Sequence, residues 1–198
     1  MMRAALLLMC ACSFGGHRPN YQYFVLTTTA QRTPSSTASD ESQPTLAVDR
    51  VSLPGYLDRE QIAMRTRDHS VIYSRTDRWA EPLEPAFERT LREDLAVHLR
   101  PAGIQVPTRT EGPTYYLDVE VLRFERNGDR VELWARWTMR SSTEVLDTGD
   151  THFFVPMRGV DSNAMAVAAS DAIAQMAAEL AVQVRKTDRT LAARERRP

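Results

Sequence analysis

The chain has 198 residues, of which 42% are hydrophobic and 26% are charged. These proportions are ordinary for a globular protein and exclude collagen-like and intrinsically disordered chains. The formal net charge of −1 argues against a nucleic-acid partner, because nucleic acid is bound by a concentrated basic face. One domain is the default for a chain of this length.

The N-terminus resembles a lipoprotein signal peptide. A basic residue precedes the apolar segment 4–9, and Ala11-Cys12 follows. The lipidated residue must be a cysteine, because its thiolate takes the diacylglyceryl group, and the residue before it must be small. Ala11 meets this requirement and Met9 does not, so lipidation is predicted at Cys12 rather than at Cys10.

Lipidation at Cys12 also predicts a location. Removal of residues 1–11 would leave residues 12–20 as a tether between the lipid and the domain. Ser13 follows the cysteine where an aspartate would retain many lipoproteins at the inner membrane, so we expect the outer membrane, facing the periplasm. No later segment is expected to span a membrane, which leaves the lipid as the anchor. The alternative is that Cys10 and Cys12 are small apolar residues or a C-x-C metal or disulfide element.

Short strands and a long loop are predicted before residue 80. Aromatic and β-branched residues favour strands over residues 21–26, 45–53, 62–67 and 71–75. Residues 28–44 are rich in Ser, Thr, Gln and Pro and are predicted to form a flexible loop. The turn Asp68-His69-Ser70 predicts that the last two strands form a hairpin.

Two amphipathic helices are predicted. In residues 82–100, leucines and Phe87 recur every four residues, and Pro101-Ala102-Gly103 ends this helix. An alanine-rich helix is predicted from Asp161 to about Arg185. The basic residues after it are expected to fray, with residues 190–198 as a solvated tail; the alternative is that they contact anionic lipid headgroups or an acidic partner.

An antiparallel meander of three strands is predicted between the helices, over residues 115–126, 131–140 and 144–155. The middle strand alternates apolar and polar residues, so one of its faces belongs to a core. A phase slip at Leu122 and Phe124 predicts a bulge, and Asn127-Gly128 predicts a type I′ turn. The element order predicts one two-layer α+β domain over residues 21–189, with a mostly antiparallel sheet and two helices packed on one face.

Two motifs resemble the signature of the ABC-transport auxiliary lipoproteins, the PqiC/YmbA-like family. They are residues 51–62 (VSLPGYLDREQI) and residues 77–83 (DRWAEPL). The resemblance implies an auxiliary lipoprotein that works with an MCE-domain protein and an ABC permease to move lipids or other hydrophobic molecules across the envelope. It implies docking rather than catalysis and no cofactor, and it leaves self-association open.

The turn after Pro54-Gly55 is the candidate partner-binding site. Tyr56, Leu57 and Arg59 are large apolar and charged side chains, where a loop without a role would usually be small and polar. The alternative is a purely structural turn, whose backbone Pro54 and Gly55 fix. Trp79, just before the first helix, is expected to be a buried anchor for that helix.

With one exception, the sequence contains no known catalytic or metal-binding motif, and the four histidines are not spaced as metal ligands. Asp147-Thr148-Gly149 resembles the loop of aspartic proteases, in which two aspartates share a proton. The chain has one copy, and Asp150 follows directly, so a retropepsin-like protease is a remote alternative and a polar bend or bulge is the preferred interpretation. A lipid-binding or chaperone-like lipoprotein is a nearer alternative that requires an apolar cavity between the sheet and the helices.

Overall fold

A computed structural model describes residues 20–30, 43–66, 69–109 and 111–195 of the chain. These residues form one sheet of seven strands and two long helices. The strands are β1 (Gln22–Phe24), β2 (Leu46–Ser52), β3 (Gln61–Arg65), β4 (Val71–Trp79), β5 (Tyr115–Asn127), β6 (Arg130–Arg140) and β7 (Val145–Pro156). The helices are α1 (Leu83–Leu99) and α2 (Ser162–Glu195), and short 3₁₀ turns span Gly55–Leu57 and Arg100–Ala102.

The sheet is mixed, with the strand order β1-β4-β3-β5-β6-β7 and β2 also paired with β5. Its longest pairings, β5 with β6 and β6 with β7, are antiparallel. β2 and β3 both run parallel to β5, with β2 along Tyr115–Glu120 and β3 at Arg126 and Asn127. The chain therefore follows one edge of β5, leaves the sheet at residues 53–60 and rejoins it.

The main core lies between the sheet and the two helices. Every second residue of β6 from Val131 to Met139 is at most 5% exposed, as alternation predicts for a strand with one covered face. Phe87 of α1 meets Phe124 of β5 edge to face at 5.1 Å. Thr151 of β7 donates to Glu179 of α2 at 3.0 Å. Both helices thus cover the same face of the sheet, and the predicted two-layer α+β fold is confirmed.

Local expectations are confirmed where apolar periodicity was strong. The predicted apolar positions of both helices are buried, and so is Trp79, which is 4% exposed at the end of β4. The register between β5 and β6 shifts between Val121 and Arg123, so the predicted bulge is present. β3 and β4 pair as an antiparallel hairpin, although β4 continues to Trp79 instead of ending at residue 75.

Two predictions about turns and ends are wrong. The β5–β6 turn consists of Gly128 and Asp129, because Asn127 pairs with Arg130, and Gly128 alone of the two has a positive φ, 66°; a type I′ turn needs two such residues. α2 does not end near Arg185 but continues to Glu195. Leu191 packs against the core, which gives the last turns of this helix an apolar anchor.

The expectation that no later segment could span a membrane also needs correction. α2 is long and apolar enough to do so by length and composition, with 61% of its most apolar window buried inside the domain. An amphipathic core helix passes the same test, because its apolar face is covered by protein. The predicted signal peptide with Cys10 and Cys12, residues 31–42 of the predicted loop and residues 196–198 of the tail lie outside the described residues.

Candidate partner-binding surface

The side of the sheet opposite the helices carries an ordered set of polar and aromatic side chains. We call it the open face. It is built from alternate residues of β5, β6 and β7, together with β3, β4 and the turn 53–60. Its side chains include Tyr56, Arg59, Arg65, Tyr73, Arg123, Glu125, Glu132, Trp134, His152 and Phe154.

Glu132 lies near the centre of the open face and is 1% exposed. Its Oε1 accepts hydrogen bonds from Arg123 at 2.8 Å and pairs with His152 Nε2 at 3.1 Å, and its Oε2 accepts one from Asn127 at 3.0 Å. Burial by itself would raise the pKa of Glu132, but the bonds from Asn127, Arg123 and His152 outweigh it and hold the pKa below its usual value. The group is therefore a satisfied carboxylate.

Glu125 is the direct cross-strand neighbour of Glu132 and is 0% exposed. It accepts hydrogen bonds from Arg65 Nε at 2.7 Å and from the Tyr56 hydroxyl at 2.6 Å. Burial, followed by the hydrogen bond to Glu125, raises the pKa of Tyr56 well above its ordinary value, so this phenol stays a donor. Two like charges facing each other across strands would repel, and here each has its own arginine, Arg65 or Arg123.

An aromatic row runs beside these carboxylates. The ring of His152 stacks on Trp134 with centroids 5.3 Å apart and contacts Phe154 at 4.6 Å. The Arg123 guanidinium lies over Trp134, 5.4 Å from the ring centroid. Phe154 is 48% exposed, which is unusual for a large apolar side chain that sits in an ordered cluster. The row thus presents an apolar and cationic surface to solvent.

The predicted site residues occupy three different environments in the turn. Leu57 is 3% exposed and belongs to the core. Tyr56 is half-buried and bonded to Glu125, and its backbone carbonyl accepts a hydrogen bond from the Tyr73 hydroxyl at 3.0 Å. Arg59 is exposed, with its guanidinium 5.0 Å from the centre of the Tyr73 ring. The turn is therefore fixed to the open face by Tyr56 and Leu57, and Arg59 is the member that reaches solvent.

The Asp147-Thr148-Gly149 segment lies in β7, next to a register shift in the β6–β7 pairing. A Cβ on Gly149 would lie 2.5 Å from the indole of Trp137 on β6, so packing requires the glycine here. Close packing against Trp137 thus explains the glycine of the protease-like motif. No group of three or more metal-ligating side chains occurs among the described residues.

The sequence matches the profile of the ABC-type transport auxiliary lipoprotein component over residues 24–181. The chain belongs to this family. Its members are auxiliary lipoproteins of transport systems rather than enzymes, and membership indicates a membrane-anchored protein of the cell envelope. No curated protein matches the chain.

Solved structures resemble the auxiliary lipoprotein fold described above. A crystal structure of an uncharacterized protein has 20% identity and a TM-score of 0.70 over 83% of this chain and 99% of that one. Protein XCC0632 from Xanthomonas campestris, of the DUF330 family, has 18% identity and a TM-score of 0.67 over 87% of this chain and 99% of its own. At such identities the likeness shows the fold alone.

The sequence did not reveal the carboxylate pair. Glu125 and Glu132 looked like ordinary solvent-facing residues of alternating strands. Their partners come from β3, β5, β7 and the turn 53–60, and only the folded sheet brings these together. The signal that would have found the pair is the hairpin register, since Glu125 and Glu132 face each other once the turn is placed at Gly128-Asp129.

Proposed function

We propose that this protein is the lipid-anchored outer-membrane subunit of an ABC-type envelope transport system. In this role it faces the periplasm and docks an MCE-domain protein and its ABC permease, which move lipids or other hydrophobic molecules. Family membership supports the transport role. The docking role is supported by the open face. There, an exposed row of aromatic side chains lies beside buried carboxylates that are already paired with arginines.

The chemistry of the open face suits protein binding. Interface energy concentrates in Trp, Tyr and Arg side chains that are held in place before binding. Trp134 and Arg123 are fixed by stacking and by the ion pair to Glu132, so a partner would not have to immobilise them. The buried carboxylates are already paired, so docking would leave no unpaired charge under the interface.

The turn extends this surface. Leu57 is held by the core and Tyr56 by Glu125, and we propose that these two residues fix the turn so that Arg59, which carries the exposed charge, contacts the partner. Arg59→Ala should weaken docking without changing the melting temperature, because surface substitutions usually shift stability within roughly 0.5 kcal/mol. Arg189→Ala, an exposed arginine on α2, is the matched control and should dock normally in the same co-purification with the MCE protein.

The anchor is tested separately. We propose that Cys12 carries the lipid and that the tether leads from it to β1, which begins at Gln22. Cys12→Ala should abolish palmitate labelling and leave the protein either soluble or with its signal peptide uncleaved, whereas Cys10→Ala should change little. Palmitate incorporation into the Cys12→Ala variant would overturn this assignment.

The remaining alternatives gain no support from the geometry. A lipid-binding chaperone needs an apolar cavity between sheet and helices, and in the described part of the chain buried apolar side chains such as Leu117, Leu133 and Ile173 occupy that layer. A protease needs a second aspartate facing Asp147. A peptide-cleavage assay on the wild type and on Asp147→Asn tests this alternative, and we expect no cleavage by either protein.

A further inference from the structure

Two sequence features that docking does not use come together at one end of the domain. They are the protease-like Asp147 at the start of β7 and the basic residues in the last turns of α2. Between them lies a groove of about 270 Å³, which we call the α2–β7 groove. Small-molecule sites span roughly 300–1,000 Å³, so the groove fits a ligand the size of a polar headgroup.

The two walls of the groove carry opposite charges. Glu144 and Asp147 line it from the strand side, and Lys186 and Arg194 line it from the helix. Lys186 and Arg194 are eight residues apart on a helix that rises about 1.5 Å per residue, so they are spread over about 12 Å on one face. Leu146 and Leu191 also line the groove and pack against the core, which gives it a partly apolar floor.

These four charges do not neutralise one another in the structure. Among the described residues, none of the four has an ion-pair partner, and Asp147 accepts a hydrogen bond from the backbone N–H of Thr148 at 3.0 Å. Arg140, by contrast, pairs with both Asp49 and Asp118. The groove therefore presents two unpaired anions on one wall and two unpaired cations on the other.

We infer that the α2–β7 groove binds a phosphoethanolamine zwitterion, with its phosphate on Lys186 and Arg194 and its ammonium on Glu144 and Asp147. The lining charges sum to zero, so an ion of either sign would leave one wall unmatched, whereas a neutral zwitterion matches both. A phosphate diester has two free oxygens, so each of the two separated cations can bind a different one.

Calorimetric titration of the full-length Cys12→Ala chain tests the inference without a contribution from the anchor. Glycerophosphoethanolamine should bind at least tenfold more tightly than inorganic phosphate, ethanolamine or alanine. Lys186→Ala with Arg194→Ala, and separately Glu144→Gln with Asp147→Asn, should each weaken binding at least tenfold, while Arg189→Ala should not change it. No binding, equal binding of inorganic phosphate or alanine, or unaffected double variants would overturn the inference.

A second arm identifies the source of the headgroup. Vesicles of phosphatidylethanolamine and phosphatidylcholine in equal parts should float the same protein if the headgroup belongs to a membrane lipid, and pure phosphatidylcholine vesicles should not. Binding of the soluble compound without flotation assigns the groove to a free phosphoethanolamine compound. Equal flotation by both vesicles contradicts headgroup recognition. The docking variant Arg59→Ala should behave as wild type in both arms, so failure of the groove and failure of docking are distinguishable.

Discussion

Glu132 on β6 and Asp94 on α1 are both almost completely buried, at 1% and 0% exposure, yet the fold shifts their pKa values in opposite directions. Glu132 receives three side-chain partners and its pKa is lowered. Asp94 accepts hydrogen bonds through Oδ1 from Thr28 and from the backbone N–H of Ala30, while its Oδ2 has no partner among the described residues. Burial therefore outweighs these bonds and raises the pKa of Asp94.

The difference shows that two carboxyls of nearly equal solvent exposure can have pKa values shifted in opposite directions, because the donors around Glu132 outweigh its burial and those around Asp94 do not. The open face supplies donors from neighbouring strands, so its carboxylates form a rigid ionic layer. The helix layer supplies donors to Asp94 only from the strap at residues 27–30, which lies on α1 and α2. The open face thus has the preorganisation expected of a docking surface, whereas Asp94 beneath the strap keeps one carboxyl oxygen without a partner among the described residues.

Removing a carboxylate from the open face should have the largest effect. Glu125→Ala leaves the largely buried Arg65 and the Tyr56 hydroxyl without their acceptor, and we expect a loss of about 3 kcal/mol in the free energy of unfolding. Chemical denaturation measures it. The control is Glu120→Ala, whose exposed pair with Arg136 should contribute less than about 1 kcal/mol. Similar losses in the two variants would contradict the distinction between the buried and the exposed pairs.

The pH dependence of Glu132 should follow from its lowered pKa. As the pH falls below the ordinary value of 4.5, the unfolded chain takes up the proton first, so stability is lost down to the folded-state pKa. Glu132→Gln should cost about 1–2 kcal/mol at pH 7 and should flatten this acid limb. Urea titrations between pH 3 and pH 7 compare the two proteins; an unchanged acid limb in the variant would show that Glu132 is not its source.

Substitution of Asp94 should change the free energy of unfolding the least, and in the opposite direction. Above its ordinary pKa of 3.8, the unfolded chain ionises first, so stability falls as the pH rises through the folded-state pKa. Asp94→Asn keeps the acceptor for Thr28, and its amide can donate to Thr90 one turn earlier, whose buried hydroxyl oxygen lacks a partner in the described residues. We expect a gain of about 1 kcal/mol at pH 7. A loss of stability in the same urea titrations would mean that Asp94 is needed as an anion.

The sequence predicted the parts of the fold that depend on local periodicity. The four-residue spacing of leucines in α1, the alternation in β6 and the phase slip at Leu122 each have a local physical cause, and all are present. The order of the seven strands has no such cause, because short strands such as β1 and β3 find their partners only through tertiary packing. The sequence therefore did not predict that β2 and β3 pair with the same edge of β5.

The candidate site was harder to predict because it depends on where the β5–β6 turn lies. A shift of this turn by one residue changes which side chains face each other across the two strands. A turn at Asn127-Gly128 would place Arg123 opposite Glu132 and make the pair look like a simple surface salt bridge. The observed turn at Gly128-Asp129 places Glu125 opposite Glu132 and creates a buried carboxylate pair that needs Arg65 and Tyr56. The turn motif at residues 54–59 was recognised from its residue types, while the roles of Tyr56 and Leu57 in holding it became visible only in the fold.

Docking through the open face is tested most directly by photocrosslinking in the native envelope. A photoreactive residue replaces Phe154 in the lipidated full-length chain, and the crosslinked protein is identified by mass spectrometry. The same residue at Arg189 on α2 is the control. We expect a crosslink to the MCE-domain protein or the permease from position 154 and none from position 189. Crosslinks to these partners from position 189 alone, or to neither partner from position 154, would contradict docking through the open face.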